Sequence, residues 1–226
     1  MLERLKRAFF PERPHVPSLP ATDFSATFVD YPTTTLAMQR MDECTGGVSL
    51  LELAYLAYLA KRRAACQIFE IGTSMGRTTL NMALNLAPGG HIYSLDLPPG
   101  IIPHESRYAP AQDAEIKQLP RAAFLQPYLP GLPVTLLQGD STAFDFSPWS
   151  GRMDLVFVDG GHVRSVLESD TTNAFKLIKP SGIILWHDYT QPACPEVTGY
   201  LEELAHRYPL RYFRGTHLAV LQASPG

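Results

Sequence analysis

Residues 66–80 read CQIFEIGTSMGRTTL, an apolar strand that meets an acid, a glycine-broken turn and the start of a helix. The spacing is Glu70-x-Gly72-x-x-x-Gly76. Glycine tolerates positive φ and lets a ligand approach the main chain, as a strand-to-helix crossover that grips a nucleotide requires. Amides at the helix start, from Met75 to Thr78, are expected to face such a ligand with the positive end of the helix dipole behind them. A dinucleotide fingerprint reads G-x-G-x-x-G, whereas Ser74 stands at its second glycine position. An acid two residues before the first glycine is also foreign to that fingerprint. It suits a ligand bearing an amine or a cationic group better than one bearing a pyrophosphate. The same turn occurs in other α/β proteins, so its meaning depends on what surrounds it.

Around this stretch, strands and helices alternate. Ser49-Leu-Leu-Glu52 has capping-box spacing ahead of an apolar run, which predicts a helix over 49–63. Strands are expected at 67–71, 91–95, 134–138, 154–158 and 183–186, with helices at 76–86, 163–178 and 195–207. Runs at 211–214 and 218–222 flank Gly215-Thr216 and are joined tightly enough to predict an antiparallel hairpin. Alternating β and α segments imply a parallel sheet with helices on both faces, which the terminal hairpin makes mixed. Residues 11–35, rich in Pro, Ser and Thr, read as an irregular lead-in. We therefore expect a lead-in over 1–48 and a single domain over 49–226. That domain is interrupted at 97–133 by a lid-like insert with eight prolines and one predicted helix, 112–126.

Bulk properties narrow the function classes. The chain has 226 residues, enough for one α/β domain with a sizeable core, and its 45% hydrophobic and 18% charged residues are an ordinary globular mix. A net charge of -3 offers no basic field for a nucleic-acid partner. Lys61-Arg62-Arg63 falls at a predicted helix end, where the dipole accounts for it. Cys44, Cys66 and Cys194 are far apart and contain no C-x-x-C pair, which argues against a disulfide framework or a thiolate zinc site. The N-terminal MLERLKRAFFPERP lacks an apolar signal core, and no apolar run is long enough to span a bilayer. The expectation is a cytoplasmic protein without a membrane or nucleic-acid partner. The segment 1–10 and the insert offer surfaces for a homodimer.

Ligands of open α/β sheets bind beyond the carboxyl ends of the strands. Here each of five predicted strand ends carries an acid: Glu70, Asp96, Asp140, Asp159 and Asp188. Asp96 follows Gly72 by 24 residues, near the offset of an acid that grips ribose hydroxyls. Asp140 itself reads as an Asx turn cap.

The glycine stretch resembles the first motif of class I S-adenosylmethionine-dependent methyltransferases. The run GDSTAFDFSPWSGRMDLVFVDGGHVRSVLESDTTNAFKLIKPSGIILWHDY (139–189) resembles a bacterial family of that class, marked by DGxH, a helix and HD. That family is akin to the macrocin and novobiocin O-methyltransferases and to cephalosporin hydroxylase-like proteins, and the resemblance spans about 48–222. It implies a Rossmann-like seven-stranded mixed sheet with a reversed last strand. It also implies that S-adenosylmethionine binds at Glu70, Gly72, Thr73, Ser74, Gly76, Asp96, Asp140, Ser141 and Asp159, with a small molecule as methyl acceptor.

Methyl transfer to oxygen is an in-line displacement that must also remove the acceptor's proton. Two routes stay open. In one, Asp159 and Asp188, with His187, hold a divalent metal such as Mg²⁺ that acidifies the acceptor hydroxyl. Catechol-type enzymes are similar there but carry Asp-Asn where this chain has Asp188-Tyr189, and a histidine suits transition metals better. In the other, His162 is the general base, its ordinary pKa lying near neutrality. His162 also reads as a helix cap, His187 as a strand-end packing residue and Tyr189 as a rim aromatic. His104, Arg107 and Tyr108 of the insert are candidate acceptor contacts. An NAD-dependent oxidoreductase and a non-catalytic nucleoside-binding protein are the alternatives.

Overall fold

The computed structural model describes residues 17–41, 47–99, 101 and 120–222. Eight strands form one sheet: β1 (Ala21–Thr22), β2 (Gln67–Ile71), β3 (His91–Asp96), β4 (Val134–Gln138), β5 (Met153–Val158), β6 (Ile178–Trp186), β7 (Arg211–Phe213) and β8 (Ala219–Gln222). Their order across the sheet is β1-β7-β8-β6-β5-β2-β3-β4. Both pairings of β8 are antiparallel, and every other neighbouring pair is parallel.

Burial decides which strands lie in the middle. The apolar runs of β2 and β5 are buried almost throughout, as is the second half of β6, whereas β4 stays half-exposed at an edge. Successive residues of a strand point to opposite faces. In β5, Val156 and Val158 therefore join one core layer, and Leu155 and Phe157 join the other. Helices α4 (Arg164–Leu177) and α5 (Pro195–Leu204) cover the first layer through Leu167, Leu177, Val197 and Leu201. The second is covered by α2 (Leu50–Lys61) and α3 (Arg77–Ala83) through Leu53, Leu56 and Met82. Among the described residues, no helix is long and apolar enough to cross a membrane.

The predicted mixed sheet and terminal hairpin are present, with one strand more than expected. β1 comes from the supposedly irregular lead-in and pairs with β7 through Ala21↔Tyr212 and Thr22↔Phe213. A two-residue strand leaves no periodicity in a sequence, so composition alone reads as coil. In and just after the short helix α1 (Phe24–Thr27), Phe24 and Phe28 are buried among the aromatics of α2, with the Phe24 ring stacked 3.7 Å from Tyr55. The capping box forms as read: Glu52 N donates to Ser49 Oγ (3.3 Å) and Ser49 N to Glu52 Oε2 (2.7 Å). The basic cluster is structural. Lys61 Nζ donates to Thr35 O (2.5 Å), Arg62 lies over the Phe28 ring and Arg63 pairs with Asp154.

Of the helix expected over 112–126, residues 112–119 lie outside the described residues; 121–125 form turns, and a 3₁₀ helix (Gln126–Gly131) follows. Pro127 and Pro130 explain the short element, since proline removes a helical donor. His104, Arg107 and Tyr108 also lie outside the described residues.

One face of α3 fastens the segment before α2 to the domain. Asn81 exchanges two hydrogen bonds with the Gln39 backbone (2.9 and 3.0 Å), and Asn85 exchanges two with Ala37 (3.0 and 2.7 Å). Buried Arg77 donates to Arg40 O and Val48 O, both at 2.7 Å. Spaced four residues apart, these side chains take the place of a neighbouring strand. Asn81→Ala should cost about 1–3 kcal/mol by leaving two backbone groups without partners. Amide exchange should accelerate at Gln39 more than at Ala37; equal rates in both proteins would show that the contact carries no stability.

Candidate active site

Parallel strands deliver their carboxyl ends to one edge, and the first half of the site forms where β2 and β3 finish. Glu70 pairs in register with Ser94 and is fully buried. Thr79 Oγ1 donates to Glu70 Oε2 (2.5 Å), and Ser94 Oγ donates to the same oxygen. Ser94 Oγ also meets Thr73 Oγ1 at 2.6 Å. Glu70 Oε1 has no hydrogen-bond partner. Burial pushes the Glu70 carboxyl up to about 8, against the pull of the two hydroxyls, and the charges of Asp159 and Asp96 push the same way.

The glycine loop is built as a clasp. Gly72 has φ +105°, and a Cβ there would lie 2.0 Å from the Asp159 carbonyl oxygen. The neighbour that demands glycine is thus the end of β5. The loop binds the two halves of the site together. Ser74 adopts φ 48°, and its N–H donates to Asp96 Oδ2 (2.6 Å). Gly76 N donates to Thr73 O (2.8 Å), so not every amide expected to face a ligand is available to one. A Cβ on Gly76 would meet Leu125 at 2.9 Å, because the end of the insert packs over this turn through Ala122 N to Ser74 O (2.7 Å) and Phe124 N to Met75 O (2.9 Å). Arg121, from that same end, pairs with Asp96 at 3.4 Å.

Asp140 takes its turn-capping form: it is exposed, and Oδ1 accepts from Thr142 N (2.9 Å) and Thr142 Oγ1 (2.7 Å). Its neighbour Ser141 instead contacts the fully buried Asp170 of α4, whose carboxyl burial pushes up to about 7.

The second half lies past β5 and β6, where Asp159, His162, His187 and Asp188 converge. His162 Nε2 stands 2.6 Å from Asp188 Oδ2. His187 is buried, with Nδ1 3.2 Å from both Asp159 Oδ1 and Asp188 Oδ1, and Nε2 3.4 Å from Glu52 Oε2. Cys194 falls within 4.8 Å of His162 and Asp188. Asp188 adopts φ +62°, a left-handed conformation that aspartate tolerates better than most residues.

Charge is shared throughout this cluster. Burial opposes ionisation of Asp188, but the two imidazoles beside it, His162 and His187, outweigh it and hold the carboxyl well below its ordinary range. Burial likewise opposes a charged His162, yet Asp188 and Cys194 bring its pKa up to about 10. His162 therefore does not keep the near-neutral pKa that its residue type suggests. His187 is raised well above its ordinary value despite burial, chiefly by Asp159. The Asp159 carboxyl is itself pushed up by burial. Glu52, opposed by burial but paired with His187 and the backbone, settles at about 2.

Three local readings change. His162 does not cap α4, whose N-cap is Val163. His187 sits at the centre of an ion-pair network. Tyr189 is fully buried, far from a rim aromatic: its hydroxyl accepts from Leu19 N (3.0 Å) and donates to Glu202 (3.3 Å), tying down the lead-in. Glu52, Thr79, Ser94 and Arg121 were not singled out as site residues. Only Ser94 left a usable signal, since aligning β2 with β3 puts it opposite Glu70.

The profile of a methyltransferase domain matches residues 69–189, from β2 to the residue after Asp188. No curated protein matches the chain. Solved structures of similar fold include the O-methyltransferase TomG from Streptomyces achromogenes, involved in tomaymycin synthesis, in complex with SAM (18% identity, 92% of each chain, TM-score 0.55). The SAH-bound methyltransferase PaMTH1 from Podospora anserina is another (16%, 99% of this chain and 95% of that one, TM-score 0.56). A third is the O-methyltransferase NovP (12%, 78% and 81%, TM-score 0.63). At these identities the likeness is one of fold, and it agrees with the sheet expected from the sequence.

Gly72→Ala should destabilise the whole domain, because the Asp159 backbone cannot withdraw and φ is wrong for alanine. The strained backbone alone should cost about 1–3 kcal/mol. Denaturant unfolding measures this; wild-type stability would mean that the clasp is looser than described.

Proposed function

The chain belongs to the methyltransferase-domain family, and from that premise we propose an S-adenosylmethionine-dependent O-methyltransferase acting on a small-molecule acceptor in the cytoplasm. The observation that carries the cofactor is Glu70 Oε1, a buried carboxylate oxygen without a hydrogen-bond partner. A polar atom left unmet in a dry site costs free energy until a partner arrives, and the α-ammonium of the donor's methionine moiety supplies one as Glu70 gives up the proton that burial keeps on it. Thr79 and Ser94 hold the other oxygen and fix the carboxylate's direction. Asp96 faces the ribose, exchanging its Arg121 contact for the hydroxyls. The turn after β4, which Asp140 caps, flanks the adenine.

The acceptor lies over the second half of the site. The acceptor proton leaves by one of two routes, with a cation held beside it or to His162 in its deprotonated form, a form that gains ground as pH rises towards 10; Asp188 stabilises the imidazolium that forms, as the acid of a His–Asp pair does. The pairing that raises the His162 pKa also makes it a stronger base once it is deprotonated. Asp159, Asp188 and His187 fit a divalent cation: the buried Nδ1 of His187 lacks a hydrogen-bond partner and faces both carboxylates. Such a cation, when bound, lowers the pKa of the acceptor hydroxyl. Gly72 keeps the two halves in contact, so donor and acceptor meet across a fixed distance.

Calorimetric titration with S-adenosylhomocysteine and, separately, NAD tests the cofactor. We expect micromolar or tighter binding of the first and none of the second. NAD binding alone would overturn the reading in favour of an oxidoreductase, and binding of neither would remove the cofactor altogether.

A further inference from the structure

Glu52 is anchored on two sides before it reaches the site. Oε2 accepts from Ser49 N (2.7 Å) at the start of α2, and Oε1 accepts from His217 N (2.6 Å) in the β7–β8 turn. The residue is 1% exposed, and its carboxylate meets His187 Nε2 from 135 positions away in the chain. A capping box needs no such burial, because its glutamate normally remains at the surface. With Nε2 turned towards Glu52, the opposite nitrogen, Nδ1, can only face Asp159 and Asp188.

That arrangement has a chemical meaning. Histidines that ligate metals donate their other N–H to a carboxylate, which fixes the tautomer and raises the basicity of the ligating nitrogen. Metal–ligand bonds of about 2.1 Å place neighbouring donors about 3.0–3.4 Å apart, and His187 Nδ1 lies 3.2 Å from each carboxylate oxygen. Nδ1 is buried and has no hydrogen-bond partner. We propose that Glu52 is a positioning residue that presents His187 Nδ1, with Asp159 and Asp188, as a nitrogen-bearing site for a transition-metal ion in preference to Mg²⁺. The proposal rests on the cation reading of this half of the site. An imidazole among two carboxylates favours Mn²⁺, Co²⁺ or Zn²⁺, whereas an all-oxygen set suits Mg²⁺.

The test uses the full chain after treatment with chelator, titrated with CoCl₂ and MgCl₂ by calorimetry, with Co²⁺ absorption followed in parallel. Wild-type protein should bind Co²⁺ with nitrogen-ligand bands in the visible and should bind Mg²⁺ far more weakly. Glu52→Gln should lower Co²⁺ affinity about 10–100-fold with little change for Mg²⁺, so the Co²⁺/Mg²⁺ ratio falls. A merely structural role for Glu52 would weaken both ions equally and leave the ratio unchanged, which overturns the proposal, as does Mg²⁺ binding at least as tight as Co²⁺. Should Glu52→Gln fail to fold, nitrogen NMR of His187 in the Zn²⁺-loaded wild type decides. A protonated Nε2 with a metallated Nδ1 supports the proposal, and a protonated Nδ1 refutes it. S-adenosylhomocysteine titration of the same samples reports on the methyltransferase reading separately.

Discussion

Carboxylates from the ends of β2, β3, β5 and β6 face a common edge of the sheet. Asp159 and Asp96 both bear on the ionisation of Glu70, so these acids cannot be treated one at a time. An unpaired buried charge costs several kcal/mol, and the fold meets that cost differently at each acid. Glu70 is kept neutral by burial and held by two hydroxyls. Asp96 accepts from the Ser74 and Leu97 amides and pairs with Arg121. Asp188 relies on two histidines. Two buried atoms beside these acids, Glu70 Oε1 and His187 Nδ1, are left without a hydrogen-bond partner.

The two halves of the site are mechanically one. Gly72 lies against the Asp159 backbone so closely that no side chain fits between them, and Asp159 N donates to Ile71 O (2.8 Å). Glu70 and Asp159 therefore end adjacent, hydrogen-bonded strands, and Asp188 ends the next strand along. In-line transfer needs that rigidity, since a small misplacement of donor and acceptor erodes the rate steeply. The end of the insert packs on Ser74 and Met75, pairs with Asp96 through Arg121 and so covers the glycine loop.

Most of the sheet was legible because its strands are long apolar runs broken by glycine, proline and acids. The same punctuation marked Glu70, Asp96, Asp159 and Asp188, for a strand end that ought to be capped cheaply instead carries an acid. What stayed hidden depends on contacts between distant segments. Glu52 reads locally as a helix cap, and nothing near it announces His187 or His217. Tyr189 sits beside Asp188 and reads as a rim aromatic, but its hydroxyl holds Leu19 and Glu202 in the interior. The shift of the His162 pKa was hidden for a related reason: its partner follows β6, and sequence spacing carries no trace of a 2.6 Å contact.

If Glu70 receives a cationic amine, as proposed, binding must release the proton that burial keeps on its carboxyl. Burial raises the Glu70 pKa from 4.5 to about 8, so near neutral pH the folded protein holds a proton there. An ammonium placed against Oε1 favours the carboxylate and expels that proton. Binding should therefore tighten as pH rises towards 8. Calorimetry of S-adenosylhomocysteine binding in buffers of differing ionisation enthalpy at pH 7 should report about one proton released, and Glu70→Gln should abolish that release. No release from the wild type, or the same release from the variant, would contradict the account.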